Sequence, residues 1–369
     1  MKKRMLSLVA MFAALSFASP AHAELKIGGD ASVRLRGEFK SQDPGENTSD
    51  DLKWQYRIRL TGAADLGSGY FFKTMITNES TEGRAAGFVT IGYGNTEVYN
   101  LTVSNFYFGR MMQDSHYMMG RLPLGSFNNP IFDLAAFPSQ PLDTPITNIL
   151  YDRVYGINYG CKIGSGDMNA TLVMLDNRST GVTTATEHDG LFNDGYALHL
   201  SYKATAGNVT LEPQVLVALT NMDTFTQPNG VPNFTANCTP ITFGANVGIP
   251  VGKSKLTCSG FYTTCDDADP DNAALVTDYH GYLLRAKFES GPFMAWFDYN
   301  STHDETTNLD YNNTFLWAQY KINVHQSAMG TFTVQPTLRW LTSGKENSGA
   351  QVGNDTQTLR AELMATVTF

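Results

Sequence analysis

The sequence predicts an all-β fold, a transmembrane antiparallel β-barrel, and three observations lead to this prediction. Segments in which apolar and polar side chains alternate recur along nearly the whole chain. The connections between these segments alternate between short and long. The amino terminus has the features of a secretory signal peptide, so the chain is expected to leave the cytoplasm.

The signal peptide is predicted over residues 1–23. Three basic residues precede an apolar stretch, which ends in the cleavage pattern Ala21-His22-Ala23. Residues 24–369 are predicted to form one outer-membrane barrel domain. Because no other apolar run approaches the roughly 20 residues of a transmembrane helix, strands are expected to cross the membrane.

The composition fits a membrane barrel and argues against a nucleic-acid partner. The whole chain carries a net charge of −9. Without residues 1–23 it has 23 basic and 35 acidic residues, a net charge of −12. Nucleic-acid binding favours a basic surface, so this partner is excluded. Only 17% of the residues are charged, as expected where half of each strand faces lipid.

The alternating segments predict the strands. In "LKWQYRIRLTG" the apolar residues from Leu52 to Leu60 share one face, and Lys53 to Arg59 share the other. Fourteen strands are read directly, at 25–39, 52–64, 69–78, 97–104, 105–112, 149–160, 168–176, 194–204, 208–220, 278–289, 292–301, 313–323, 331–342 and 356–369. A hairpin within 221–277, with arms near 238–247 and 253–262, would make sixteen. Either number is even and closes a barrel without leaving an open edge in lipid.

The connections predict which end of each strand faces which side of the membrane. Short turns are expected near Leu66-Gly67-Ser68, near Ser104-Asn105, and at "CKIGSGD", "TAGN", "ESGP" and "VHQSAMG". Long connections are expected at 40–51, 79–96, 113–148, 177–193, 221–277, 302–312 and 343–355. Short periplasmic turns and long external loops are typical of outer-membrane barrels.

With its signal peptide, alternating strands, loop asymmetry and terminal Phe369, the chain resembles the Gram-negative porins. The resemblance covers residues 24–369 and is architectural. It implies a barrel surrounded by outer-membrane lipid and lipopolysaccharide, acting as a channel for passive diffusion of small hydrophilic solutes or ions. It also implies a homotrimer, and recognition of Phe369 by the barrel-assembly machinery. No cofactor and no enzymatic activity are expected, because the histidines are scattered and form no motif.

The connection at 113–148 is the first candidate functional segment. It has five prolines and several large apolar residues, so it is expected to pack against something. The resemblance implies that this third external loop folds into the lumen and narrows it, with Asp114, Arg121, Asp133 and Asp143 as its charged residues. The alternative is a surface loop or a trimer contact.

Strand parity predicts a basic lumen. The basic residues expected to face inward are Arg34, Arg36, Arg57, Arg59, Lys73, Arg285, Lys287, Arg339 and Arg360. Fewer acids share that face, which indicates a mildly anion-leaning channel, since charge lining a pore sets its ion selectivity. The alternative is that these side chains only solvate a wet wall and pair locally.

Two further predictions concern the connection at 221–277. Cys238 and Cys258 are the first candidates for a disulfide, because both are expected on the arms of one hairpin, although the pairing of the four cysteines stays open. Their spacing fits no metal motif. The alternative function is an outer-membrane adhesin or structural barrel that acts through its long external loops, with this one as its binding segment.

Overall fold

The computed structural model describes most of the chain after residue 23. The described residues are 24–43, 48–78, 88–92, 101–123, 129–139, 153–176, 194–220, 228, 238–268 and 276–369. The predicted signal peptide therefore lies outside the described residues. In the part that is described, no helix has the length and apolar character needed to span a membrane.

The described residues form β-strands and one short helix. The elements are β1 (Glu24–Asp43), β2 (Ser49–Gly67), β3 (Tyr70–Thr77), β4 (Val89–Thr90), β5 (Thr102–Met111), β6 (Ser115–Pro123), α1 (Ile131–Ala136), β7 (Arg153–Ile163), β8 (Gly166–Asp176), β9 (Gly195–Ala206), β10 (Val209–Ala218), β11 (Ile241–Val251), β12 (Ser254–Ala268), β13 (Val276–Ser290), β14 (Phe293–Asp304), β15 (Leu309–Tyr320), β16 (Ile322–Ser327), β17 (Gly330–Asn347), β18 (Ala350–Gln351) and β19 (Asp355–Thr368).

These segments form a closed antiparallel barrel of sixteen strands. β15 and β16 both pair with β17 and together make one strand, while β4 and β18 are two-residue ladders beside β2 and β17. Pairing of β1 with β19 closes the barrel, and Gly29 and Phe369 exchange two backbone hydrogen bonds at its end. The predicted all-β antiparallel barrel is confirmed, with the larger of the two expected strand numbers.

Side chains alternate between the outer and inner faces as the sequence predicts. On β13, Leu284 and Phe288 are exposed on the outer face, whereas Arg285 and Lys287 are buried on the inner face. A strand of this kind satisfies its backbone within the sheet and presents apolar side chains to lipid.

Strand boundaries differ from the prediction in one region. The expected turn at Ser104–Asn105 is a β-bulge inside β5: Ile76 pairs with Val103 and Met75 with Asn105, which leaves Ser104 as the extra residue. A bulge interrupts the alternation of side chains, so its sequence pattern is similar to that of a turn. The true turn follows Met111, and β6 occupies residues that were predicted to be loop. The predicted hairpin within 221–277 is confirmed as β11 and β12.

The barrel has a turn end and a loop end. At the turn end, four two-residue turns begin with a glycine at φ between +55° and +61°, namely Gly164, Gly207, Gly252 and Gly291. Glycine populates this left-handed region without steric cost. At the loop end, the connections predicted at 40–51, 302–312 and 343–355 are shorter than expected, because the flanking strands extend into them. Most residues of these extensions are polar on both faces, so the period of two is weak there.

Candidate functional site: the inner wall of the barrel

Six arginines on four neighbouring strands form a basic surface on the inner face. This arginine wall consists of Arg339 on β17, Arg360 on β19, Arg34 and Arg36 on β1, and Arg57 and Arg59 on β2. Strand register brings them together, because Arg339 lies directly opposite Arg360. The sequence predicted all six as inward-facing.

Three carboxylates are distributed among these arginines. Glu362 contacts Arg36, Arg339 at 2.8 Å and Arg34 at 3.6 Å. Asp30 contacts Arg59 at 2.8 Å and Arg57 at 3.7 Å, and Glu38 contacts Arg360. Six arginines therefore share three acids, which leaves these nine groups with a net charge of +3.

The arginines differ in how far they reach into the lumen. The side chains of Arg34 and Arg339 are only 4–5% exposed. Arg34 donates two hydrogen bonds to Gln55, and the Arg339 guanidinium lies 3.8 Å from the centre of the Trp317 ring. Arg57 and Arg59 are 19% and 33% exposed, so they are the members of this wall best placed to meet passing solutes.

An aromatic side chain from the connection between β3 and β5 covers part of this wall. Phe88 is buried, with its ring centre 3.9 Å from the Arg34 guanidinium and 4.6 Å from that of Arg57. The segment is held by β4, which pairs with β2, and by the hydrogen bond that Gln55 donates to Thr90. Phe88 thus packs on the faces of two guanidinium groups, a favourable cation–π arrangement.

A second charged region lies on β13 and β14. Arg285 donates two hydrogen bonds to Asp298, at 2.6 and 2.7 Å, and both side chains are 2% exposed. Lys287 pairs with Glu289 at 3.0 Å. Arg285, Lys287 and Glu289 border a cavity of about 530 Å³ on the inner face, which Lys203, Lys255 and Glu212 also line.

Helix α1 packs on an apolar patch of the inner wall. All six of its residues are buried. It contacts strands β10 to β13. This patch was not predicted from the sequence. It consists of inward-facing residues on β7 to β10, β12 and β13 and in the segment before β11: Val154, Val173, Ala197, Leu216, Ala218, Cys238, Phe261, Cys265, Tyr279 and Leu283. Burying apolar surface of this kind stabilises the contact by about 25 cal/mol per Å².

Polar contacts fix the two ends of the α1 segment. Asn129 donates a hydrogen bond to Gln214 on β10 at 2.6 Å. At the other end, Thr302 on β14 donates to the carbonyl of Pro138 at 2.6 Å, and Asn313 on β15 donates to that of Ser139 at 3.2 Å. Within the helix, Asp133 interacts electrostatically with Arg285. The segment 129–139 therefore crosses the inner face from β10 to β15.

The structure places the four charged residues predicted for the loop at 113–148 in different surroundings. Asp133 lies on α1. Asp114 is in the short turn before β6 and pairs with Lys162 at 3.4 Å, and Arg121 is on β6, where it donates to the carbonyl of Ser104. Assigning both to this loop was wrong, because β6 fills 115–123. Asp143 lies outside the described residues.

The remaining predicted basic residue, Lys73, lies near the turn end. It borders a cavity of about 590 Å³ together with Lys26, Tyr107 and His116. Asp30, by contrast, was not predicted as an inward acid. It shares the parity of Arg34 and Arg36 on β1, so extending the alternation toward the start of that strand would have found it.

The predicted disulfide between Cys238 and Cys258 does not fit the geometry. The Sγ atom of Cys238 lies 3.9 Å from that of Cys265. Cys258 is seven residues before Cys265 on the same strand, and an odd offset places two side chains on opposite faces. Cys265 faces inward toward Cys238, so Cys258 faces the other way.

Four of the described histidines, His116, His199, His280 and His303, contact amides, carboxylates or aromatic rings. His116 bonds to Asn158, His199 to Gln214, and His303 to Asp310. Among the residues that the structure describes, no group of three or more His, Cys, Asp or Glu side chains is arranged to hold a metal ion.

Comparisons with known proteins agree with this architecture. The sequence profile of the family described as Gram-negative porin matches residues 8–335. An anion-selective porin from Comamonas acidovorans superposes with a TM-score of 0.56 at 13% identity, over 94% of this chain and 100% of that chain. A search of curated proteins gave no match.

Two structures of OmpT, an outer membrane protein of Vibrio cholerae folded in vitro, are also similar. One has a TM-score of 0.54 at 13% identity, covering 96% of this chain and 99% of that chain. The trimer form has a TM-score of 0.50 at 12% identity, covering 93% and 99%. Identities this low support the fold alone. The family profile, however, spans most of the sequence, so the chain belongs to the Gram-negative porin family and is a multi-pass β-barrel of the outer membrane.

Proposed function

We propose that this protein is a channel for passive diffusion of small hydrophilic solutes and ions, and that it prefers anions. The family and the barrel support the diffusion channel. The preference is carried by one observation, the six arginines of the arginine wall against three carboxylates. Excess positive charge in a narrow, low-dielectric passage raises the local concentration of anions and lowers that of cations.

The diffusion path in this proposal runs between α1 and the arginine wall. The segment 129–139 takes up the lumen beside β10 to β15, whereas the arginines lie on β17, β19, β1 and β2. An anion on this path passes the exposed ends of Arg57 and Arg59. The neighbouring Arg34 and Arg339 are held by Gln55 and Trp317 and supply charge from within the wall.

The preference is expected to depend on salt. Charges on a wet wall are screened over about 10 Å at 0.1 M and about 3 Å at 1 M ionic strength. The ratio of anion to cation permeability should therefore be larger in dilute KCl than in concentrated KCl. A channel that selects only by width would show no such dependence.

The test is the reversal potential of the purified protein in a planar bilayer across a KCl gradient. The double variant R57Q/R59Q should lower the permeability ratio of chloride to potassium, and D30N, which removes the acid they share, should raise it. R110Q is the control, because Arg110 donates to the carbonyl of Ser68 at the turn end and contacts Tyr70. A cation preference in the wild type, or equal shifts in all three variants, would refute the arginine wall as the selectivity element.

The surroundings of the channel belong to the same proposal. Exposed apolar residues such as Leu284 and Leu338 would face outer-membrane lipid and lipopolysaccharide. We infer a homotrimer, supported by the trimer form of the similar V. cholerae protein. We also infer removal of residues 1–23 as a signal peptide, and no catalytic activity. Cross-linking of the protein in native membranes should give a ladder that ends at three chains.

A further inference from the structure

Two cysteines meet beside α1 inside the barrel. Cys265 is on β12, and Cys238 lies three residues before the start of β11. Their Sγ atoms are 3.9 Å apart, and the residues are 2% and 0% exposed, respectively. The Tyr279 hydroxyl lies 4.0 Å from the Cys238 sulfur.

Hydrogen bonds hold the Cys238 segment against β12. Asp267 accepts two hydrogen bonds from Thr239, one from the backbone N–H at 2.6 Å and one from the hydroxyl at 2.7 Å. The same carboxylate oxygen lies 3.2 Å from the Cys265 sulfur. On the other side, Ala218 donates its backbone N–H to the carbonyl of Pro240. The cysteines are therefore brought together by contacts that do not depend on sulfur.

We propose that Cys238 and Cys265 form a disulfide bond in the native protein. Outer-membrane proteins mature in an oxidising compartment, where paired thiols persist as disulfides. The two Sγ atoms, 3.9 Å apart, would have to approach each other by about 1.9 Å to reach the bonding distance of about 2.05 Å. Cys258 points to the other face of β12, and Cys161 is on β7, which four strands separate from β12 in the sheet.

The bond would form by thiol–disulfide exchange. The thiolate of one cysteine attacks the disulfide of a periplasmic thiol oxidoreductase and forms a mixed disulfide. The thiolate of the second cysteine then displaces the oxidoreductase, which leaves as a dithiol. The two cysteines lose two protons and two electrons, and the oxidoreductase gains them. Because both sulfurs are buried in the folded barrel, the exchange has to precede the packing of α1.

The consequence is a covalent tie between the β10–β11 connection and the wall that supports α1. Cys238, Cys265 and Tyr279 belong to the same buried cluster as Ile131, Leu134 and Phe137. A bond from Cys238 to β12 keeps the β10–β11 connection packed against this cluster. The disulfide thus helps to hold the segment that, in the proposed function, narrows the lumen, but its formation does not depend on that function.

The test starts from wild-type protein extracted from outer membranes without refolding. The chain is denatured without reductant, its thiols are alkylated, and proteolytic peptides are identified by mass spectrometry. Cys161 and Cys258 should carry the alkyl group, and the peptides with Cys238 and Cys265 should appear cross-linked. Four alkylated cysteines, or a cross-link that includes Cys258, would overturn the proposal.

Matched variants test the pairing and the tie. C258S should leave one reactive thiol, Cys161, whereas C265S should leave three. Reductant should lower the temperature at which the folded band is lost in heat-modifiability gels for the wild type and C258S, but not for C265S. If reductant does not change the temperature at which the wild type loses its folded band, the tie to the α1 wall is refuted. The alkylation experiment tests the bond itself separately.

Discussion

At the scale of single residues, charges in the lumen are arranged as pairs across neighbouring strands. Arg36 lies directly opposite Glu362, Glu38 opposite Arg360, and Arg285 opposite Asp298. Directly opposite side chains have Cβ atoms about 4.5–5.5 Å apart, so register alone brings opposite charges into contact. In the proposed channel, the more exposed side chains such as Arg57 and Arg59 would meet solutes, whereas the buried Arg285–Asp298 pair is fixed.

The buried pair of Arg285 and Asp298 gives a stability prediction. D298N removes the bidentate acceptor and leaves a charged guanidinium that is 2% exposed. Breaking a buried pair from one side costs about 3–5 kcal/mol. We expect D298N to lose its folded band in heat-modifiability gels at a clearly lower temperature than the wild type.

A matched exposed pair is the control for this prediction. D114N breaks the contact with Lys162, in which the two side chains are 58% and 65% exposed, and such surface pairs are worth about 0–1 kcal/mol. The double variant R285M/D298L, which removes both charges, should recover much of the loss. If D298N and D114N melt alike, the Arg285–Asp298 pair does not stabilise the barrel.

At the scale of elements, α1 is held mainly by apolar contacts. Leu134 is fully buried against the inner wall. Truncation of a buried leucine to alanine costs about 2–5 kcal/mol. We expect L134A to loosen the segment 129–139 and to raise both the mean single-channel conductance and the current noise.

The control for L134A is the same leucine-to-alanine truncation at a residue on the outer face of the wall. Leu284 on β13 is 52% exposed on the outer face, so L284A should leave conductance and noise unchanged. Noise and conductance that stay at the wild-type level in folded L134A would mean that the helix does not border the conducting path.

Elements were predictable where one face of a strand is apolar and the other polar. This condition holds for β1, β2, β13, β17 and β19, and there the sequence also predicted the inward arginines. It fails for β6, where Tyr117 and Arg121 share one face while His116 and Leu122 share the other. A mixed pattern of this kind carries no period of two, and pairing with β5 and β7 decides the structure.

The inner apolar patch and the Phe88 contact could not be predicted for a related reason. Leu283 and Leu284 follow each other on β13, so one of them must face inward, but the sequence does not show what covers it. The cover is α1, which comes from a connection about 150 residues earlier in the chain. Contacts between a loop and a distant wall depend on closure of the whole barrel, which local patterns do not encode.

At the scale of the whole molecule, closure depends on the two ends of the described chain. β1 and β19 pair from Asp30↔Thr368 to Asp43↔Asp355, and Gly29 exchanges backbone hydrogen bonds with Phe369 at 2.9 and 3.0 Å. A Cβ on Gly29 would lie 2.4 Å from the carbonyl oxygen of Arg59 and 3.1 Å from the Phe369 ring. The last strand therefore fits against a glycine that no other residue can replace without a shift.

This closure separates two roles of Phe369, in the barrel and in its assembly. F369A keeps the backbone hydrogen bonds to Gly29 and loses only a ring that is 54% exposed. Protein refolded in detergent should therefore lose its folded band at nearly the wild-type temperature. In cells, the amount of folded barrel in the outer membrane should fall several-fold, if the ring is the feature that the barrel-assembly machinery binds.

V367A, which truncates another exposed outward residue of β19, is the control and should assemble normally. Normal assembly of F369A in cells would show that the ring is not needed for recognition by the assembly machinery. A lower melting temperature of the refolded variant would show that the ring stabilises the closed barrel itself.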